Sequence, residues 1–236
     1  MSLGTIASSG TGLQTGLKGW YRMLGGATDS SGNANTGTTH GSPSLTSDKY
    51  SNSNSAYQLV IASSQYISLA QTSGLPIYSI ANAYTVAFWI NAPAASGINA
   101  WVYNEGNTSS SSPGFGLYSN TAGNSAKLTC FVRNLAGTTI LGAASTTTTF
   151  DSTWHHICWI DNLGTATLYI DGTADATSFN YTQSAIGAAL NTSSIGAYAR
   201  TTTGSFLGGT VFDVRLYNRA LSAAEAHSLY AATQRI

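Results

Sequence analysis

Few residues in the chain have the types and spacing needed to move protons. It has two glutamates, Glu105 and Glu225, among nine acidic side chains. Retaining glycoside hydrolysis needs two carboxyl groups about 5–5.5 Å apart, which on a strand means two acids of the same parity. No strand-like run supplies such a pair. Asp171 and Asp175 lie four apart in a glycine-containing turn region, and Glu225 sits at the start of a helix-like segment. There is no Gly-Lys phosphate loop, no His-Glu zinc-protease pair and no G-x-S-x-G elbow. His155 and His156 are adjacent. On a strand they point to opposite faces and cannot readily share a metal ion. The residues therefore favour a protein that is not an enzyme.

Recognition chemistry is better represented. Sugar rings pack their C–H faces on aromatic rings, and their hydroxyls take directional hydrogen bonds. Trp101 and Tyr103 stand beside Asn104, Glu105 and Asn107 in one candidate glycan-binding loop; Tyr198 and Arg200 form a second. The same aromatics would equally serve a β-sheet core, and both readings stand. Cys130 and Cys158 each fall in a strand-like run. They are either two buried thiols or a cross-strand disulfide, which requires Cα atoms within about 7 Å.

Composition narrows the class of partner. The 236 residues carry 9 basic and 9 acidic side chains, and charged residues make up only 8%, against roughly 25% in ordinary soluble domains. A neutral chain lacks the basic surface that replaces phosphate counterions, so nucleic acid is not expected as a partner. An aromatic fraction of 11% argues against disorder. No apolar run approaches the ~20 residues that span a bilayer, so membrane insertion is not expected. The length would allow one large domain or two small ones, and one β domain with a single core is the expectation.

The elements that must position these residues are strands. Tyr84, Val86, Phe88 and Ile90 share one parity, with Thr85, Ala87, Trp89 and Asn91 on the other. Similar runs occur at Leu17–Leu24, Gln65–Leu69, Lys127–Arg133, Trp154–Ile160, Thr165–Ile170 and Thr210–Tyr217. Turn clusters separate them, among them Asp29 to Asn33, Asn104 to Asn107 and Asp171-Gly172. Ser109–Ser112 reads as a loop tip and Thr146–Thr149 as an exposed strand or loop. The pattern predicts an all-β antiparallel sandwich. One short carboxy-terminal helix is expected from Ser222 and Glu225, which have capping-box spacing, with Ala226, Leu229 and Tyr230 as its apolar stripe. Residues 1–15 read as a flexible arm ahead of a domain over 16–236.

Six segments in order resemble the laminin-G-like domains of the concanavalin A-like lectin/glucanase superfamily. They are Gly16 to Gly37, Leu45 to Ile67, Tyr84 to Ile90, Trp154 to Ile157, Ala166 to Gly172 and Phe212 to Glu225. The resemblance implies a two-sheet antiparallel jelly roll closed by a late strand and a short helix. In that family a Trp-His pair such as Trp154-His155 is a strand-entry feature. Relatives commonly bind glycans or proteins, act in adhesion or serve as inert spacers, and they often hold one calcium ion near the closing strand. By that likeness Asp213 would be a calcium ligand, with Asp29 and Asn33 adding oxygens from an early loop. The alternative pairs Asp213 with Arg215 or Arg219 and leaves Asp29 shaping an Asx turn. Alternation with Phe212 and Val214 would turn Asp213 away from their side.

The amino terminus shows neither a basic n-region nor an apolar h-region. Together with the low charge and the small polar residues, this leads to an expectation of a structural or attachment module at a virion surface. It would self-associate, possibly as a trimer, contact capsid or tail proteins and engage host glycans. A carbohydrate-binding or adhesion module at a bacterial cell surface is the alternative.

Overall fold

A computed structural model of the chain describes residues 12–80, 83–94, 99–120, 124–183 and 190–232. Two antiparallel sheets form a sandwich. The eight-stranded sheet runs Thr173–Ala174, Thr165–Ile170, Trp154–Asn162, Ala83–Asn91, Gly209–Tyr217, Ala56–Leu59 and Ser44–Thr46, with Leu17–Tyr21 also paired to Gly209–Tyr217. The seven-stranded sheet runs Thr139–Thr148, Asn124–Arg133, Ser110–Asn120, Ala100–Asn107, Thr192–Ile195, Tyr66–Leu69 and Gly37–His40. The expected jelly-roll architecture is what the chain adopts. Among the described residues no helix is long and apolar enough to cross a membrane.

Alternation explains the core. Val86, Phe88 and Ile90 face inward and are fully buried, as are Leu117, Cys130 and Val132 from the opposite sheet. Ala87 and Trp89, of the other parity, are buried as well, because the outer face of the eight-stranded sheet is itself covered. The helix Ala223–Ala232 packs Ala226 and Leu229 against Leu17, Ala87, Cys158 and Tyr217. Its Tyr230 stacks on Trp89 with centroids 5.7 Å apart, and Trp89 in turn stacks on Phe212 at 5.9 Å. The Lys49 ammonium lies 3.7 Å from the Trp89 ring centroid. Cys158 belongs to this outer cluster and Cys130 to the inner core; both are free thiols.

The strand Gly209–Tyr217 serves two neighbours on one edge. Its first residues pair with Ala56–Leu59 and its last with Leu17–Tyr21. Between them lies a bulge, with Asp213 at φ +51°. The extra residue shifts the alternation. Phe212 and Asp213 line the same outer groove while Val214 enters the core, so Asp213 does not face away from Phe212 as simple alternation implies.

The capping box forms as expected. The Ser222 N–H donates to Glu225 Oε2 at 2.9 Å, and the Glu225 N–H reaches the Ser222 hydroxyl at 3.3 Å. Arg219 grips the Glu225 carboxylate at 2.6 and 3.0 Å and donates to the Gly12 and Thr15 carbonyls at 2.8 Å each. The Arg219 bond and the capping contacts hold the Glu225 carboxyl down at about 2. Residues 12–15 of the expected arm are thus tied to the helix start; the rest of the arm lies outside the described residues. Replacing Ser222 by alanine should cost roughly 1 kcal/mol. Urea denaturation should show a lower midpoint with an unchanged slope.

Candidate functional site

Two glycines open a site on the outer face of the seven-stranded sheet. A Cβ at Gly116 would collide with the Trp101 ring and with the Tyr103 carbonyl, and one at Gly106 would collide with the Ala199 carbonyl. Without those side chains, Trp101 settles against the neighbouring strand and the 196–204 segment lies directly on the sheet. Asn104 fixes that segment: its Oδ1 accepts the Ala199 N–H at 2.9 Å, while its amide donates to the Phe115 carbonyl at 3.1 Å. The pair Tyr198 N–H to Gly204 carbonyl, 2.8 Å, and its reciprocal at 3.1 Å close the segment on itself.

The result is a layered aromatic wall. Tyr198 stacks on one face of Trp101, with centroids 4.2 Å apart and planes 7° apart; Tyr118 stacks on the other at 4.7 Å and 19°. Phe131 meets both Trp101 and Tyr118 edge-on. Such offset and edge contacts each add about 0.5–1.5 kcal/mol beyond area burial. Arg200 lies over Tyr198 at 4.6 Å and Arg133 over Phe131 at 5.1 Å. With Asn99 and Ser205 these residues line a cleft of about 240 Å³. That is below the ~300–1,000 Å³ of drug-sized pockets and on the scale of a sugar ring.

The expected glycan residues divide along this geometry. Trp101, Tyr198 and Arg200 come together in the cleft, with Asn104 beneath as a support. Asn107 ends its strand and accepts the Ser109 N–H at 2.7 Å. Tyr103 and Glu105 point into the core, fully buried, because residues 104–107 continue a strand where a turn was expected. Glu105 accepts the Tyr103 hydroxyl at 2.7 Å and the Ile77 and Tyr78 N–H groups at 2.7 and 2.8 Å. Burial pushes its carboxyl up to about 7, against the opposing pull of these bonds. Tyr118, Phe131 and Arg133 escaped the sequence reading. The signal was present: Gly114 and Gly116 share one parity of their strand, opposite Arg133 and Phe131.

The proposed calcium ligands serve other bonds. Asp29 accepts N–H groups from Trp20, Ser31 and Asn35 and the Ser31 hydroxyl, all at 2.8–3.0 Å. Asn33 donates its amide to the Leu17 carbonyl at 2.9 Å. Asp213 accepts the Trp20 indole N–H at 2.6 Å and pairs with Arg215 through two bonds of 3.0 Å. A guanidinium therefore stands beside the carboxylate that calcium would need. Among the described residues no three His, Cys, Asp or Glu gather to hold an ion. Calcium takes 6–8 oxygens, and these three side chains are each already engaged within the chain.

A hydroxyl–imidazole–carboxylate line does occur at the surface. The Thr153 hydroxyl is 3.0 Å from His155 Nε2, and His155 Nδ1 is 2.7 Å from Asp171. It lacks the order of a nucleophilic relay. The Thr153 hydroxyl donates to Asp151 at 2.7 Å, and the hydrogen bond to Asp171 leads the effects that raise the His155 pKa. His156, on the opposite face, is buried beside Trp89 with Nδ1 unpartnered, and burial lowers its pKa to about 4.

A laminin-G-type family model described as the concanavalin A-like lectin/glucanases superfamily matches residues 61–227, and the chain belongs to that superfamily. No curated protein matches it in sequence. Domain 4 of AbnA, a GH43 extracellular arabinanase from Geobacillus stearothermophilus, was solved in complex with arabinotriose. It is similar with a TM-score of 0.67 and 18% identity, over 91% of this chain and 98% of that one. A structure of botulinum neurotoxin type C, whose cell entry depends on interaction with two ganglioside molecules, gives 0.71 and 11% over 94% and 52%. The botulinum neurotoxin serotype D binding domain gives 0.69 and 14% over 94% and 53%. The chain thus spans about half the length of the neurotoxin structures. At these identities the likeness establishes the fold.

Gly116→Ala should push Trp101 off the sheet and cost roughly 1–3 kcal/mol, with a shift in tryptophan fluorescence. His156 predicts a pH effect. The unfolded imidazole takes a proton near 6.5 and the folded one only near 4. Its stabilisation is therefore complete above 6.5 and declines as pH falls through that window. His156→Phe should flatten this part of the stability profile, measured by denaturant melts at stepped pH.

Proposed function

We propose that the protein is a non-catalytic carbohydrate-binding module that holds a sugar ring of a larger glycan in the Trp101 cleft. The observation that carries this reading is the Tyr198–Trp101–Tyr118 stack beside a cleft of sugar-ring size. Rigid aromatic side chains offer contact area at little entropic cost. The arabinotriose complex of the arabinanase domain and the ganglioside dependence of botulinum neurotoxin type C cell entry support the reading by analogy. The cleft lining contains no carboxylate, so the acid pair of a retaining hydrolase has no counterpart there. Display at a virion surface, among capsid or tail proteins and copies of itself, is the setting we assign from the 8% charged composition; a cell surface is the alternative.

Titration calorimetry against a panel of oligosaccharides tests the function. Tyr198 lies on a surface segment, so Tyr198→Ala should leave the thermal midpoint within a few degrees. It should weaken sugar binding about tenfold, roughly 1.4 kcal/mol. Incubation with polysaccharide should release no reducing ends. A protein that binds no sugar, or whose binding ignores Tyr198→Ala, would contradict the proposal.

A further inference from the structure

Charge is distributed unevenly over the seven-stranded sheet. Across its strands Glu105 is the only acidic residue, and it points inward. Arg133 and Lys127 share the parity of Phe131, the outward one, on Asn124–Arg133. Arg200 reaches the same cleft from the surface segment, and the cleft lining holds two guanidiniums and no carboxylate. In a chain with only nine basic side chains, that concentration is not a general property of the surface.

These two arginines differ from Arg215 and Arg219 elsewhere in the fold, though Arg22, over Trp20 on the other sheet, is likewise unpaired among the described residues. Arg215 and Arg219 are each spent on a carboxylate within 3.0 Å. Among the described residues neither Arg133 nor Arg200 makes an ion pair. Each instead lies over an aromatic ring, a contact that spends no N–H donor. Arg133 Nε is buried with no hydrogen-bond partner. A buried donor left unsatisfied is costly, and hydrogen bonds to charged groups are the stronger ones open to the rest of the guanidinium. A guanidinium fork matches a carboxylate through two parallel bonds, with geometric as well as energetic selectivity.

We infer that the cleft selects an acidic sugar, whose carboxylate is received by Arg133 and Arg200 while its ring rests against the aromatic wall. The inference deepens the glycan-binding reading and rests on it. It commits to a sugar carboxylate, as in uronic or sialic acids, and makes a sulfate ester an outcome of the test. Attraction between the partners brings a salt dependence, since a Debye length of about 10 Å at 0.1 M shrinks to about 3 Å at 1 M.

The experiment is an immobilised panel of uronic- and sialic-acid-containing oligosaccharides, each paired with its methyl ester, alongside neutral and sulfated oligosaccharides. The expected result is that at least one free acid binds about tenfold or more tightly than its ester. Arg133→Gln and Arg200→Gln should each remove most of that preference, so that acid and ester bind nearly alike. Raised salt should reduce it too. Equal binding of acid and ester, with loss in Tyr198→Ala, would overturn the inference and leave the glycan-binding function standing. So would preference for the sulfated members alone, or an acid preference that both arginine variants retain. Failure of every sugar in the panel to bind would overturn both.

Discussion

The structure of the cleft depends on two places where a side chain is missing. Trp101 and the Ala199 carbonyl occupy the volumes that Cβ atoms at Gly116 and Gly106 would fill. Interiors and well-packed surfaces have no spare space for such atoms. The ring therefore lies over the next strand and the 196–204 segment rests on the sheet. With Trp101 so placed, Tyr118 and Tyr198 can cover its two faces, and Asn104 can hold the segment from below. Every aromatic contact in the wall follows from that close approach.

The buried acids play a different part. Glu105 holds the one-turn helix Ile77–Ile80 through two backbone N–H groups, and Asp161 receives the Gly164 N–H and the Tyr181 hydroxyl. Tyr181 also reaches the Tyr78 hydroxyl at 3.2 Å, so tyrosines connect the two carboxyls across the interior. A buried carboxyl must be satisfied by donors where it stands. These groups are satisfied by the fold itself and lie away from the outer cleft. The division separates recognition on the outer surface from polar accounting inside the sandwich.

Much of the fold was legible because short β-branched and aromatic runs bounded by turn residues mark strands even where both faces are buried. The strand Ala83–Asn91, the hairpin around Asp171-Gly172 and the Ser222–Glu225 cap all appear where the sequence placed them, within a residue or two. The strands Ser110–Asn120, Thr139–Thr148 and Gly37–His40 were harder, being rich in Ser, Thr and Gly, which also mark loops. The same ambiguity misplaced Glu105: Asn104 to Asn107 reads as a turn by composition but continues a strand between two partners. Trp101 and Tyr198 were visible as types, but their stacking joins positions almost a hundred residues apart, and no local pattern encodes that. Asp213 was misread in orientation because a bulge breaks the parity rule on which the reading relied.

The account's central claim is that a sugar sits against the outer aromatic wall of the seven-stranded sheet. A crystal structure of the protein with its tightest-binding oligosaccharide tests this most directly. The account predicts a sugar ring in the space bounded by Tyr118, Tyr198, Arg133 and Arg200, with Trp101 still stacked between the two tyrosines. A sugar bound instead in the groove between Arg22, Tyr50 and Asp213 on the eight-stranded sheet, with the Trp101 cleft unchanged, would contradict it.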